Sequence, residues 1–286
     1  MTFNPSILLF DTTLRDGELT PGVQFSLENK VKIAQQLEEI GVNTIEIGYP
    51  GQYQKDLDDI VAVSKVIKKS VVCALSGSQN TEILQAAQAL EKAQNSCINL
   101  YTLVNHKFSS ETLNQQTTLS KIRQSILQAK NHCSFVQWSA FDATRSDVDF
   151  LSAAIQTAVD SGAKVISIPD SLGVASPHEF YNLLQNVYQQ VPQLKEVTVS
   201  VHCHNDLEIA VDNSFIGLKL GVRQIECAVN GLGARKGNAN LAQVVERIKS
   251  SSDYQTSINS NLSSIQQFVS YCSDTCSEKS ENIICS

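Results

Sequence analysis

Residues 165–206, VISIPDSLGVASPHEFYNLLQNVYQQVPQLKEVTVSVHCHND, hold one complete repeat of the pattern that decides the fold. A short β-branched run, VISIP (165–169), leads into polar residues, and an amphipathic stretch (177–191) with a helical apolar period follows. A second β-branched run, VTVSVH (197–202), closes the unit. Strand pattern, helix pattern and strand pattern in that order describe a βα unit feeding a parallel sheet. The same alternation extends outward in both directions. Toward the amino end it reads ILLF (7–10) with helix 26–40, TIEIG (44–48) with helix 53–68, and VVCAL (71–75) with helix 81–92. INLYTL (98–103) with helix 117–132 and FVQWSA (135–140) with helix 148–161 complete that half. Toward the carboxyl end, helix 207–220 precedes QIECAV (224–229) and helix 240–250. Eight strand–helix units in about 250 residues predict a closed α/β structure, the (β/α)8 TIM barrel, because a doubly wound sheet more often stops at about five to seven strands. Gly41, Gly162 and Gly221 each stand between a helix and the next strand, where a left-handed residue ends a helix at least cost.

The whole chain agrees with one large core: 286 residues, 42% of them apolar and 18% charged. The net charge of −7 comes with Lys and Arg scattered among acids, which argues against a nucleic-acid partner. The opening MTFNPSILLF lacks the basic start and long apolar run of a signal peptide, and nothing approaches the roughly 18 apolar residues of a membrane span. The expectation is a cytoplasmic protein without a membrane partner. Cys73, Cys97, Cys203 and Cys227 lie inside apolar runs and read as buried free thiols. Cys272, Cys276 and Cys285 match no zinc spacing and have no His beside them. Two regions follow: a barrel over 1–250, and a carboxyl-terminal region over 251–286 with one helix at 260–271 and a mobile polar tail, SDTCSEKSENIICS.

In such barrels chemistry is carried at the carboxyl ends of the strands. Three polar clusters fall there. Strand 1 runs into FDTTLRDGELTPG (10–22), strand 7 into HCHND (202–206), and strand 8 into NGLGARKGNAN (230–240). His202 and His204, two apart on an extended chain, point to one side. With Asp16 from a neighbouring loop they form an oxygen–nitrogen set suited to a divalent metal such as Mg, Mn or Zn. Gly231, Gly233 and Gly237 let the backbone of the eighth loop come close to a ligand.

FDTTLRDGELTPG, IEIGYP (45–50), IPDSLG (168–173), VHCHND (201–206) and NGLGARKGNANL (230–241) occur in order over residues 7–250 and resemble the acyl-CoA condensing family of isopropylmalate and homocitrate synthases, related in turn to hydroxymethylglutaryl-CoA lyase. The resemblance implies a metal-dependent condensation of acetyl-CoA, as co-substrate, with a 2-oxo acid, in leucine or related amino-acid biosynthesis, by a homodimer. It makes Asp16, His202 and His204 metal ligands, with Asn238 as a nearer or more distant fourth. Arg15 polarises the substrate carbonyl, and Asp11 orients Arg15 or a metal-bound water. Arg15 can equally be read as an ion pair with Asp11 or Glu46 that braces the barrel mouth. Ser139, Ser171, Glu46 and Asn99 fall at positions that meet the substrate.

Several positions depart from the family pattern. Asn99 stands where a His is usual, Phe141 in SAFD replaces a Glu, Ala234 in GARKGN replaces another Glu with Lys236 added, and Leu19 replaces a common Gln. The long regulatory region that follows the barrel in full-length isopropylmalate synthases is not in this sequence, so the chain is either a short homologue or a piece of a longer one. These departures put the identity of the 2-oxo acid and of the general base in question. They keep two other functions open, a lyase or aldolase at the same metal site and a paralogue that binds metal without turnover.

Overall fold

A computed structural model describes residues 5–105, 114–258 and 261–284, with side chains up to residue 273. The strands are β1 (Ser6–Asp11), β2 (Thr44–Gly48), β3 (Val71–Ser76), β4 (Ser96–Leu103), β5 (Val136–Phe141), β6 (Val165–Asp170), β7 (Thr198–Cys203) and β8 (Gln224–Cys227). The helices that follow them are α1 (Leu27–Ile40), α2 (Gln54–Val66), α3 (Asn80–Leu90), α4 (Gln115–Lys130), α5 (Val148–Asp160), α6 (Pro177–Gln190), α7 (Ala210–Leu220) and α8 (Leu241–Lys249). All neighbouring strands are parallel, and β1 pairs with both β8 and β2, which closes the barrel as the alternation predicted.

Local chemistry sets most of the helix ends. The Ser26 hydroxyl accepts from Asn29 N, Asp147 from Phe150 N, and Asn240 from Ala242 N, each satisfying a free first-turn donor. Before α6, Ser176 and Glu179 form a reciprocal capping box with Pro177 at the first helical position. Gly41 and Gly221 end α1 and α7 at φ of 98° and 119°, as their positions predicted. Helix α7 starts at Ala210 rather than near 207, because Asn205 Oδ1 accepts from Ala210 N and Glu208 takes a positive φ, which holds the intervening residues in a turn.

Two features beyond residue 250 were not legible as strands or packing. A two-residue strand, β9 (Gln255–Thr256), pairs with the start of β1, and a long helix, α9 (Ser263–Ile284), extends past the expected 260–271 into the segment read as a tail. Ile258, Leu262, Ile265, Val269 and Cys272 join the same apolar cluster as the barrel's outer strand faces and helices. Residues 260, 285 and 286, including Cys285, and the Cys276 side chain lie outside what is described. Cys73, Cys97, Cys133, Cys203, Cys227 and Cys272 are buried free thiols. Among the described residues no helix is long and apolar enough to cross a membrane.

Inside the barrel the floor is split. One side is apolar, with Phe10, Cys73 and Cys97 in contact. The other carries buried Gln137, Ser167, Ser200, Gln224 and Glu226, joined in one hydrogen-bonded network.

Candidate metal centre

The loop after β1 turns back at once, because the amides of Arg15 and Gly17 both donate to Thr12 O, forming a short 3-10 turn over Asp16–Leu19. That turn carries Asp16 over the barrel mouth. From β7, His202 ends inside the barrel and His204 lies just beyond the strand. The β8–α8 loop folds onto it: Asn205 N donates to Gly237 O, and Gly237 takes a φ of 91° that a side chain would strain. Gly233 serves a different need, since a Cβ there would press on the Asn238 amide and on Asp16 Oδ2. Of the three glycines expected to let the backbone approach a ligand, Gly233 closes on the Asn238 and Asp16 side chains, whereas Gly231 and Gly237 meet the loop's own backbone at Asn238 O and Gly231 O.

Ligand atoms of Asp16, His202 and His204 lie within 4.8 Å of one another, as the spacing of the two His residues and the first-loop acid led us to expect. His202 Nδ1–H donates to Glu226 Oε2 at 3.0 Å, and His204 Nδ1–H donates to Gly237 O at 3.3 Å. Both Nε2 atoms therefore face each other, 3.3 Å apart, as lone-pair bearers. Either a cation or a proton has to lie between them. Burial opposes a charge on His202, yet the hydrogen bond and charge of Glu226 outweigh it and raise the imidazole above its ordinary value. Burial and the neighbouring His202 push His204 down to about 3. Asp16 is buried too, but Arg15 and the two imidazoles hold its carboxyl far below the usual range, so it stays an anion.

Asn238 lies against Asp16. Its Nδ2 donates to Asp16 Oδ2 at 2.7 Å and to Leu232 O, while its buried Oδ1 has no partner among the described residues. One carboxylate, two imidazole nitrogens and a dry amide oxygen are hard-to-borderline donors that fit a divalent ion, and a buried carbonyl oxygen left unbonded is otherwise costly. Glu226 sits below His202 and also accepts from Ser167 at 2.6 Å, Ser200 at 3.0 Å and Gln137 at 2.9 Å, which fixes the orientation of the imidazole. Glu226 was missed from the sequence, although a Glu inside the apolar QIECAV run was the available signal.

Arg15 Nε donates to Glu46 at 2.6 Å and Nη1 to Asp16 at 2.7 Å; of the two partners expected for it, Glu46 is found and Asp11 is not. Asp11 pairs laterally with Ile45 and Cys227, accepts from Thr13 N and Thr13 Oγ1, and is not brought to the cavity. The inward strand position next to it is Phe10. Burial raises the Asp11 carboxyl to about 7, with the Thr13 bonds working against that rise.

A cavity of about 1160 Å³ opens over these groups. Asn99 and Ser139 lie on its wall in one chain of bonds: Ser139 Oγ donates to Asn99 Oδ1, and Asn99 Nδ2 donates to Glu46 Oε1. Ser171 lines the cavity and accepts from Asp142 N, and its own proton has no acceptor among the described residues. Leu19 and Phe141 also line the cavity. Lys236 does not, lying instead beside Asp212 and Arg247 in a separate surface hollow, and Ala234 meets the site through its backbone amide alone. Tyr49, Tyr101 and Glu82 were not singled out in the sequence. Tyr49 Oη donates to Glu82 at 2.6 Å and lies 3.3 Å from Tyr101 Oη.

The chain is similar to the 2-isopropylmalate synthases of Nitrosomonas eutropha (37% identity over 250 residues, 87% of this chain and 49% of the relative) and Leptothrix cholodnii (39% over 251 residues, 87% and 49%). It thus spans about half the length of the curated relatives it matches. Among solved structures, the HMG-CoA lyase of Brucella melitensis superposes with a TM-score of 0.76 at 16% identity, covering 95% of this chain and 99% of that one, a likeness of fold. The HMGL-like family model matches residues 6–270, and the chain belongs to that family.

Proposed function

We propose that the protein is a metal-dependent acyltransferase that condenses acetyl-CoA with a 2-oxo acid, in the manner the name 2-isopropylmalate synthase gives its relatives. The observation that carries the reading is the convergence of Asp16, His202 and His204 with Arg15 beside them at the floor of one cavity. Asp16, the two Nε2 atoms and Asn238 Oδ1 would hold the ion. A divalent cation bound there supplies Lewis acidity toward the oxygens of the 2-oxo acid.

The chain's own groups do the rest. Glu46 and Asp16 clamp Arg15, so its remaining donors present a fixed positive charge where alkoxide develops on the substrate carbonyl oxygen. Such preorganised donors are typically worth about 3–4 kcal/mol of barrier. Ser171, its proton uncommitted, binds the acceptor's carboxylate. Glu46 and Asn99 are positioning residues, since both act on substrate through Arg15 and the cavity wall. In the reaction a base takes a methyl proton from the thioester, the enolate carbon bonds to the 2-oxo carbon as the carbonyl electron pair passes to its oxygen, that oxygen takes up a proton, and water then cleaves the thioester to a carboxylate and free thiol. On this reading the protein is a cytoplasmic homodimer serving amino-acid biosynthesis.

The test is thiol release from acetyl-CoA with magnesium or manganese across a panel of 2-oxo acids. Release that needs a 2-oxo acid, stops with chelator and is absent in His202→Ala supports the proposal. Carbonyl product from a single hydroxyacyl thioester, with no 2-oxo acid dependence, would replace it by a lyase.

A further inference from the structure

One part of the cavity wall carries three aromatic rings. Asp16, His202 and His204 come from the β1 loop and β7, while Tyr49, Tyr101 and Phe141 come from the ends of β2, β4 and β5. Tyr49 and Tyr101 meet edge to face with centroids 6.0 Å apart at 89°, and Tyr101 meets Phe141 at 6.1 Å and 66°. The three rings form one row. The two tyrosine hydroxyls are turned toward each other and toward Glu82, so the row does not present a hydroxyl as its main face to the cavity. Phe141 is 44% exposed although it lines the cavity, and Leu19, 50% exposed, lines it as well. Large apolar side chains left open in a site's mouth are surfaces that a ligand covers.

The amide and the cations on the wall beside these rings are already engaged. Asn99 gives its amide to Glu46 and receives the Ser139 proton. Arg15 and Lys55 are the Lys and Arg residues lining the cavity among the described residues, and each is already ion-paired, Arg15 with Asp16 and Glu46, Lys55 with Glu18. Among the described residues, a second carboxylate on the acceptor would find no unpaired cation on that wall. An aryl ring, by contrast, can continue the edge-to-face row, a geometry that aromatic pairs favour beyond simple burial.

We infer that the acceptor is a 2-oxo acid with an aryl side chain, its ring seated against Tyr101 and Phe141; this rests on the condensation reading above. Phe141 is then a specificity residue, placed where the family pattern has a Glu.

Phenylpyruvate, 2-oxoisovalerate and 2-oxoglutarate are the probes. Two measurements are made on the magnesium-loaded protein: kcat/KM for thiol release from acetyl-CoA, and calorimetric binding of each acid without acetyl-CoA. The expected result is a preference for phenylpyruvate of at least about tenfold in both, with Phe141→Glu lowering the phenylpyruvate-to-2-oxoisovalerate ratio about tenfold and Phe141→Leu lowering it less. A preference for 2-oxoisovalerate or 2-oxoglutarate, or binding without preference, overturns the inference while leaving the condensation reading intact. Thiol silence with every acid, accompanied by selective binding of phenylpyruvate, overturns the condensation reading and upholds the aryl-acid site.

Discussion

Replacing Lys30 tests how the metal-bearing loop is held. Lys30 lies on α1 and is fully buried; its Nζ meets Glu18 at 2.7 Å, Asp59 at 2.9 Å and Asp56 at 3.8 Å, and it donates to Ile47 O. The Asp59 contact is an ion pair that lies off the hydrogen-bond axis, since Asp59 Oδ2 has no hydrogen bond of its own. Burial works against the ammonium, but Glu18 and Asp59 outweigh it and raise its pKa, so its stabilisation is complete below the ordinary lysine value and is lost only as pH rises through the folded one. Lys30→Met keeps the stem's apolar packing and leaves three carboxylates without their central cation, only Lys55 remaining at the edge. Removing one partner of a buried ion pair costs about 3–5 kcal/mol. At roughly 2 °C per kcal/mol for a chain of this size, the Tm should fall by about 6–10 °C at pH 7. The deficit should shrink as pH falls toward the carboxylate range, where protonation relieves the unpaired acids. Because Glu18 belongs to the Asp16–Leu19 turn and also accepts from Phe25 N, divalent-metal affinity should weaken alongside Tm. Calorimetric unfolding from pH 5 to 8, with a metal titration, reads both. A Tm within about 2 °C of the parent at pH 7, or a deficit that grows on acidification, would refute the reasoning.

Glu226→Gln removes the carboxylate beneath His202 and sets an amide donor against the Ser and Gln protons that now converge there; metal affinity should drop about 10–100-fold in a manganese titration, and an unchanged Kd would dismiss the orienting role. Gly233→Ala, at a position without positive φ, should push Asn238 and Asp16 apart and weaken metal binding while circular dichroism stays that of the parent; retained affinity would show that the loop relaxes freely. For Asp11 the sign is opposite to that of a salt-bridged acid: its pKa is raised to about 7, so its ionisation destabilises the fold progressively from the ordinary Asp value up to that point. The Tm of Asp11→Asn relative to the parent should therefore rise between pH 4 and about 7, and a pH-independent difference would contradict a raised, buried carboxyl at Asp11.

The barrel itself was legible because its determinants are local. Strand and helix periods, the Ser26, Asp147 and Ser176–Glu179 caps and the glycine helix stops each act within a few residues, and eight repetitions leave a closed parallel sheet as the economical way to bury them. The two His residues at the end of β7, His202 in the strand and His204 just past it, were legible for the same reason, since alternation along an extended chain puts both on one side. Their supporting contacts were not. Glu226 reaches His202 from 24 residues away, Glu46 reaches Arg15 from 31, and Asn238 reaches Asp16 from 222. Lys30 occupies the same stripe as Ile33, Ala34 and Leu37, yet nothing in the pattern of α1 reveals that three acids from other segments await its charge. Closure of the barrel decides these meetings: it makes β1 the neighbour of β8 and turns the inward positions of distant strands toward a single axis. Which buried charge finds which partner is a property of that shared interior, where desolvation makes an unpaired group too costly to keep.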